Sequence, residues 1–150
     1  METPIGTIEI TCSDKGITSV RFLEEGSKAG AVDDHPHLRA CIDQLTQYFG
    51  GKRKKFDSLT LRYAATDFQR DVWETLLDVP FGETVTYAVL AKEAGHDGAA
   101  RAVGTAMRVN PLAIIVPCHR VLPESGETGE YAGGAWRKEW LLAHESIGDW

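Results

Sequence analysis

Apolar and polar positions alternate with a period of two over Gly6–Cys12 and again over Ile17–Leu23, with Ser13-Asp14-Lys15-Gly16 between them, which predicts two strands joined as a hairpin. The period then lengthens. Leu38, Ile42, Leu45 and Phe49 recur at helical spacing within His35–Phe49, and Gly50-Gly51 supplies a stop, so the first part reads as a small α/β unit. The segment around Leu59–Thr66 reads as a linker. A new helix starts at Thr66, where Thr66 and Gln69 occupy capping-box positions; Phe68, Val72, Trp73, Leu76 and Leu77 give it an apolar face, and Pro80-Phe81-Gly82 ends it. Two short helical segments follow, Thr86–Ala94 and Ala99–Arg108, separated by Gly95-His96-Asp97-Gly98 in helix-turn-helix outline. Ile114-Ile115 reads as the end of a buried strand. The stretch from Leu122 to Ala135, with Gly126, Gly129, Gly133 and Gly134, reads as a loop, and Trp136–Glu145 as a last helix bearing Trp140, Leu141 and His144.

Composition narrows the class without changing this outline. A chain of 150 residues can bury one good core or two small ones, and 43% hydrophobic with 25% charged residues excludes disordered and fibrous classes. No apolar run is long enough to span a bilayer, and Met1-Glu2-Thr3-Pro4 lacks the basic and apolar regions of a signal peptide, so the expectation is a cytoplasmic protein with no membrane partner. Cys12, Cys41 and Cys118 are odd in number and widely spaced, as free thiols in a reducing compartment would be. Cys12, Cys41, His35 and His37 match no zinc spacing, so no metal is expected.

Charge adds one clue. The net charge of −6 arises wholly after residue 66, because residues 1–66 hold nine basic and nine acidic side chains. Yet no acidic residue lies between Asp97 and Glu124, where Arg101, Arg108 and Arg120 fall, and such a window suits a phosphate-facing patch. The basic run Lys52-Arg53-Lys54-Lys55 reads as a solvated loop.

The chemistry concentrates in Val116-Pro117-Cys118-His119-Arg120-Val121. Pro117 holds Val116 extended and removes a backbone N–H, which suits a strand that is ending and presents Cys118 from a stiff support. A thiol is a good nucleophile only as thiolate, and His119 and Arg120 are the residue types that lower a thiol pKa. Ahead of it, Ala99, Ala100, Ala102, Gly104 and Ala106 make a small-sided helix with Arg101 and Arg108 seven residues apart on one face; the pattern fits close approach to DNA or ordinary helix packing. Tyr131, in the glycine-flanked loop, is either a substrate contact or a packing anchor.

Six ordered segments go further: Phe-Gly-Glu-Thr-Val-Thr-Tyr (81–87), Ala-Ala-Arg-Ala-Val-Gly (99–104), Met-Arg-Val-Asn-Pro (107–111), Pro-Cys-His-Arg-Val (117–121), Tyr-Ala-Gly-Gly (131–134) and Lys-Glu-Trp-Leu-Leu-Ala-His-Glu (138–145). On these the chain resembles the O6-alkylguanine-DNA alkyltransferases, which reverse DNA damage directly. The resemblance implies an α+β fold: a small N-terminal ribonuclease-H-like α/β domain over residues 1–62, then a mainly helical, winged helix-turn-helix-like domain over 66–150 that carries the active-site cysteine. It further implies that Cys118 takes the alkyl group from guanine O6 irreversibly, one base per molecule and without a cofactor, His119 acting as base through a water and Glu145 orienting it. Tyr87 would supply a proton to the leaving guanine, and Asn110 would bridge the turn. Arg101 would fill the stack vacated by a flipped base. Ala99, Ala100, Ala102, Thr105, Met107 and Arg108 would meet the minor groove of double-stranded DNA, with Val121, Tyr131, Ala132 and Lys138 completing the substrate and DNA contacts of a monomer. Many members have serine or arginine where this chain has Ala132, so an altered alkyl preference is implied; O4-alkylthymine is a further candidate substrate.

Three other readings stand beside this one. A non-enzymatic relative that only binds alkylated bases would replace the cysteine, which Cys118 opposes. A thiol hydrolase could use the same Cys-His-Glu set but would leave the helix-turn-helix unused. A redox-sensing regulator would leave Tyr87, Asn110 and Glu145 without a role.

Overall fold

The computed structural model describes residues 1–27 and 34–147 and divides into two compact units, Met1–Ala64 with Pro111–Ala113, and Ala65–Asn110 with the chain from Ile114 onward. In the first, β1 (Glu2–Thr3), β2 (Gly6–Ser13) and β3 (Gly16–Phe22) form an antiparallel sheet in the order β1-β2-β3. A register shift at Thr11/Cys12 interrupts the β2–β3 hairpin. Helix α1 (Pro36–Phe49) starts at His35, whose ring Nδ1 accepts the His37 amide at 3.1 Å. It contributes Cys41, Leu45 and Tyr48 to a core shared with Ile5, Ile8, Ile17 and Val20. His37 and His35 both turn their Nε2 atoms toward Asp14.

Two expectations change here. The segment expected to be a linker pairs in part with β3, since the Ile17 amide donates to Thr60 O at 2.8 Å and the Arg62 amide to Ile17 O at 2.7 Å. The apolar run before Cys118 is buried but is not a strand. Only Leu112 pairs, against Val20, and the chain then turns through Ile114 at φ 72°. A β-branched residue in the left-handed region is strained, and here its side chain is 1% exposed and held by the packing around it.

The second unit is mainly helical. Helix α2 (Asp67–Leu76) carries the full capping box: Thr66 Oγ1 accepts the Gln69 amide at 3.2 Å, and Gln69 Oε1 accepts the Thr66 amide at 3.0 Å. The chain turns beyond Leu77, ahead of Pro80. Thr66→Ala is expected to lower unfolding free energy by about 1 kcal/mol, measured by urea denaturation, because one cap acceptor is lost while the helix face stays packed. Helices α3 (Tyr87–Glu93) and α4 (Ala100–Arg108) form the helix-turn-helix. Gly95 and Gly98 in the intervening turn sit at φ 85° and 86°, where a side chain would be strained. Trp73 anchors the bundle, 2% exposed, its indole N–H donating to Ala106 O at 3.2 Å. Strands β4 (Val85–Thr86) and β5 (Val121–Leu122) pair in parallel, and helix α5 (Ala135–Ile147) ends the described chain. No described helix is long and apolar enough to cross a membrane.

Candidate active site

Cys118 opens a single 3-10 turn, Cys118–Arg120, fastened by the Cys118 amide to Val116 O at 2.8 Å and the Arg120 amide to Pro117 O at 2.9 Å. In such a turn successive side chains point roughly 120° apart. Cys118 therefore lines a cavity of about 450 Å³ while His119 and Arg120 point away into protein. Both reach Glu145 on α5. His119 Nε2 lies 2.7 Å from Glu145 Oε2, and Arg120 donates from Nε to Oε1 at 2.8 Å and from Nη2 to Oε2 at 3.0 Å. The Gly82 amide adds a bond to Oε1 at 3.3 Å, and Arg120 Nη1 is spent on Val79 O at 2.8 Å.

The charges in this cluster follow from those contacts. Burial works against an ionised Glu145, but the hydrogen bonds from His119 and Arg120 and the guanidinium charge outweigh it and hold its carboxyl well below the usual carboxylate range. Burial pushes the His119 pKa down, so the imidazole is neutral at neutral pH despite its carboxylate partner. A carboxylate can only accept, so Nε2 carries the imidazole proton and Nδ1 keeps its lone pair. That Nδ1 is buried with no hydrogen-bond partner among the described residues, an uncommon condition for a polar atom.

The thiol environment differs from the one its sequence neighbours suggest. His119 and Arg120 are committed to Glu145. Burial pushes the Cys118 pKa up; opposing it are the Asn110 amide, which donates to Sγ at 3.2 Å and to Val116 O at 2.9 Å, and the charge of Lys138. Lys138 is fully buried, its ammonium donating to Val121 O at 2.7 Å and Glu130 O at 3.2 Å, so it clamps the two ends of the loop that rims the cavity. Gly129 at φ 76° allows that loop to close, since a Cβ there would lie 2.9 Å from the Pro123 ring.

Tyr87, placed at the start of α3 by the Thr86 cap, lines the cavity with its phenol pKa raised, first by burial and then by the neighbouring thiol and Glu130. Tyr131 lines it too, and burial raises its hydroxyl pKa well above the ordinary value. From α4 come Ala100, Arg101, Gly104, Met107 and Arg108, and from the loop Ala132. Ala99, Ala102 and Thr105 do not line the cavity; Ala102 and Thr105 lie with Arg101 and Arg108 among the exposed residues of α4. Val121 and Lys138 lie wholly buried behind the wall, where they position it. Sequence reasoning missed Arg120 as the second partner of Glu145, and missed Pro123, Gly129 and Glu130 as wall residues. A buried cation needs a counter-ion, and Glu145 was a candidate already in view, so the Arg120 pairing had a signal in the sequence.

Fold and site together define a helix-turn-helix protein with a buried thiol lining a cavity beside its second helix. Comparison with known proteins narrows this class. Residues 1–63 match the 6-O-methylguanine DNA methyltransferase ribonuclease-like domain, and residues 67–147 match the DNA binding domain of the same name. The methylated-DNA--protein-cysteine methyltransferase of Shigella flexneri is 50% identical over 159 aligned positions, covering 95% of this chain and 91% of the relative. That of Mycobacterium tuberculosis is 43% identical over 148, covering 97% and 89%. The crystal structure of Mycobacterium tuberculosis OGT in complex with DNA superposes with a TM-score of 0.88 at 42% identity, covering 98% of this chain and 91% of that one. The chain belongs to the 6-O-methylguanine DNA methyltransferase family.

Proposed function

We propose that this protein repairs DNA by direct reversal, moving the alkyl group of O6-alkylguanine in double-stranded DNA onto Cys118 and keeping it there. The observation that carries this reading is the placement of the thiol on the floor of the cavity, with the unpartnered Nδ1 of a Glu145-bound histidine in the adjoining residue. One water between Sγ and Nδ1 would satisfy the orphaned nitrogen and pass the thiol proton to it. Glu145 then stabilises the imidazolium. As the S–C bond forms, the C–O6 bond breaks and its electron pair leaves on guanine, which Tyr87 protonates; the tyrosine recovers its proton from the imidazolium through solvent. The raised Tyr87 pKa keeps that proton in place until the leaving group needs it. The product is a thioether, which the site has no group to hydrolyse, so each molecule acts once.

The substrate atom lies inside the duplex, so the nucleotide must be rotated out at a cost of a few kcal/mol. Arg101 enters the vacated stack, a reading supported by its exposure at the cavity rim. The small residues of α4 permit approach to the minor groove, and its exposed Arg108 faces phosphate. The protein acts as a monomer in the cytoplasm on the nucleoid DNA, where free thiols persist. Ala132, which lines the cavity, leaves only backbone N–H donors at its position and alters the preference among alkyl groups.

Mass spectrometry of the protein after incubation with a duplex bearing one O6-methylguanine tests the proposal. The expected result is one methyl on Cys118, in amount limited by protein and absent from Cys118→Ala. A duplex that binds while neither it nor Cys118 changes would show a damage-binding protein and overturn the catalytic reading.

A further inference from the structure

The cavity wall is apolar along Gly104, Met107, Pro123 and Tyr131, and Glu130 is the one acidic side chain among its described lining residues. Its backbone is fixed, because Lys138 holds the Glu130 carbonyl at 3.2 Å. Its carboxylate pairs with Arg108 Nη1 at 3.2 Å, and Arg108 in turn donates to Thr105 Oγ1 at 3.1 Å, an anchorage on the exposed face of α4. Both charges bear on the cavity interior, where Glu130 raises and Arg108 lowers the pKa of the Tyr87 phenol.

We propose that Glu130 makes the cavity selective against adducts that carry negative charge, so that neutral alkyl groups are transferred in preference to carboxylate-bearing ones. The proposal rests on the reading of the site as an O6-alkylguanine acceptor. In the free protein Arg108 offsets Glu130, and solvent screens the carboxylate, whose side chain is 78% exposed. Docking on a duplex changes both conditions. Phosphates compete for Arg108, and the nucleic acid covers the rim and excludes the water that screened the charge. An adduct carboxylate entering the cavity then meets a like charge at Glu130 and the apolar surfaces of Gly104, Met107 and Pro123, which cannot replace its hydration. A hydroxyethyl group of similar size meets only the wall. The transfer step itself is unchanged: the S–C bond forms, C–O6 breaks, and the pair leaves on guanine.

Single-turnover rates on one duplex sequence bearing O6-methyl-, O6-(2-hydroxyethyl)- or O6-carboxymethylguanine test this, read as the carboxymethyl-to-hydroxyethyl ratio so that effects on DNA affinity cancel. Glu130→Gln, and Glu130→Ala as a second variant, are expected to raise the ratio about fivefold or more, and Arg108→Gln to lower it, the opposite sign identifying charge as the cause. A ratio that stays fixed while methyl transfer remains intact overturns the proposal alone, as does a shift of the same sign in both charge variants. Absence of transfer from all three substrates by the unaltered protein would instead overturn the function on which the proposal rests.

Discussion

Glu145→Gln is expected to slow methyl transfer by about 10²- to 10⁴-fold and to destabilise the fold by about 3–5 kcal/mol. The two effects have separate causes. The amide is nearly isosteric, but its NH2 group can present a donor to His119, and an imidazole that answers with an acceptor at Nε2 must carry its proton on Nδ1. The lone pair assigned to take the thiol proton through water is then lost. Stability falls because Arg120, 6% exposed, makes two of its hydrogen bonds to this carboxylate and would be left as a buried cation facing an amide. Glu145→Asp separates the causes: the charge returns and recovers part of the stability, while the shorter arm forfeits the 2.7 Å contact to His119 and leaves transfer slow. Transfer within threefold of the unaltered protein in a folded Glu145→Gln sample would refute the assigned relay.

The same cluster sets the sign of the acid response. Glu145 has a folded pKa below its unfolded value, so its contribution is complete above about pH 4.3 and is lost as pH falls toward the folded pKa. The His119 pKa is also lowered by folding, so the unfolded chain takes up a proton first, and stability begins to decline below about pH 6.5. Both act in one direction, and the variant with glutamine should lose the lower of the two slopes.

Much of this was legible in the sequence where short-range physics decides the outcome. Thr66 and Gln69 announce a cap because both partners lie within one helical turn, and the helix-turn-helix follows from two short helical segments divided by Gly95-His96-Asp97-Gly98. Ile114-Ile115 illustrates the limit. Apolarity predicts burial, which is right, but the conformation is set by Leu112 pairing with Val20, a partner remote in sequence, and by a strained dihedral that no propensity favours. The thiol environment fails to follow from adjacency for a related reason. Neighbours in a 3-10 turn diverge, so His119 and Arg120 serve Glu145, and the groups near Sγ are Asn110, eight positions upstream, and Lys138, twenty positions downstream.

That inversion makes Lys138 the second position of large expected effect. Lys138→Met keeps much of the buried volume but deletes both hydrogen bonds of the clamp, leaving the carbonyls of Val121 and Glu130 short of a donor, at a cost of about 2–4 kcal/mol in unfolding free energy. The consequence reaches the thiol. Lys138 is the cationic group that opposes the effect of burial on Cys118, so its removal raises the thiol pKa further and shrinks the thiolate fraction at any given pH. Reaction of Cys118 with iodoacetamide, followed across pH by peptide mass spectrometry, should shift to higher pH by about one unit, and methyl transfer near pH 7 should slow by about tenfold or more. A clamp with no electrostatic role would leave the alkylation midpoint in place and lower only stability, so the pH profile, taken at a denaturant concentration where both proteins are folded, decides between the two. Lys138→Arg sharpens the contrast, because it keeps the charge while its larger head must fit against Gly129, where even a Cβ would lie 3.5 Å from the lysine Nζ. It is expected to hold the thiol midpoint near that of lysine while still losing stability, which would place the charge and the clamp on the same side chain as two separable contributions.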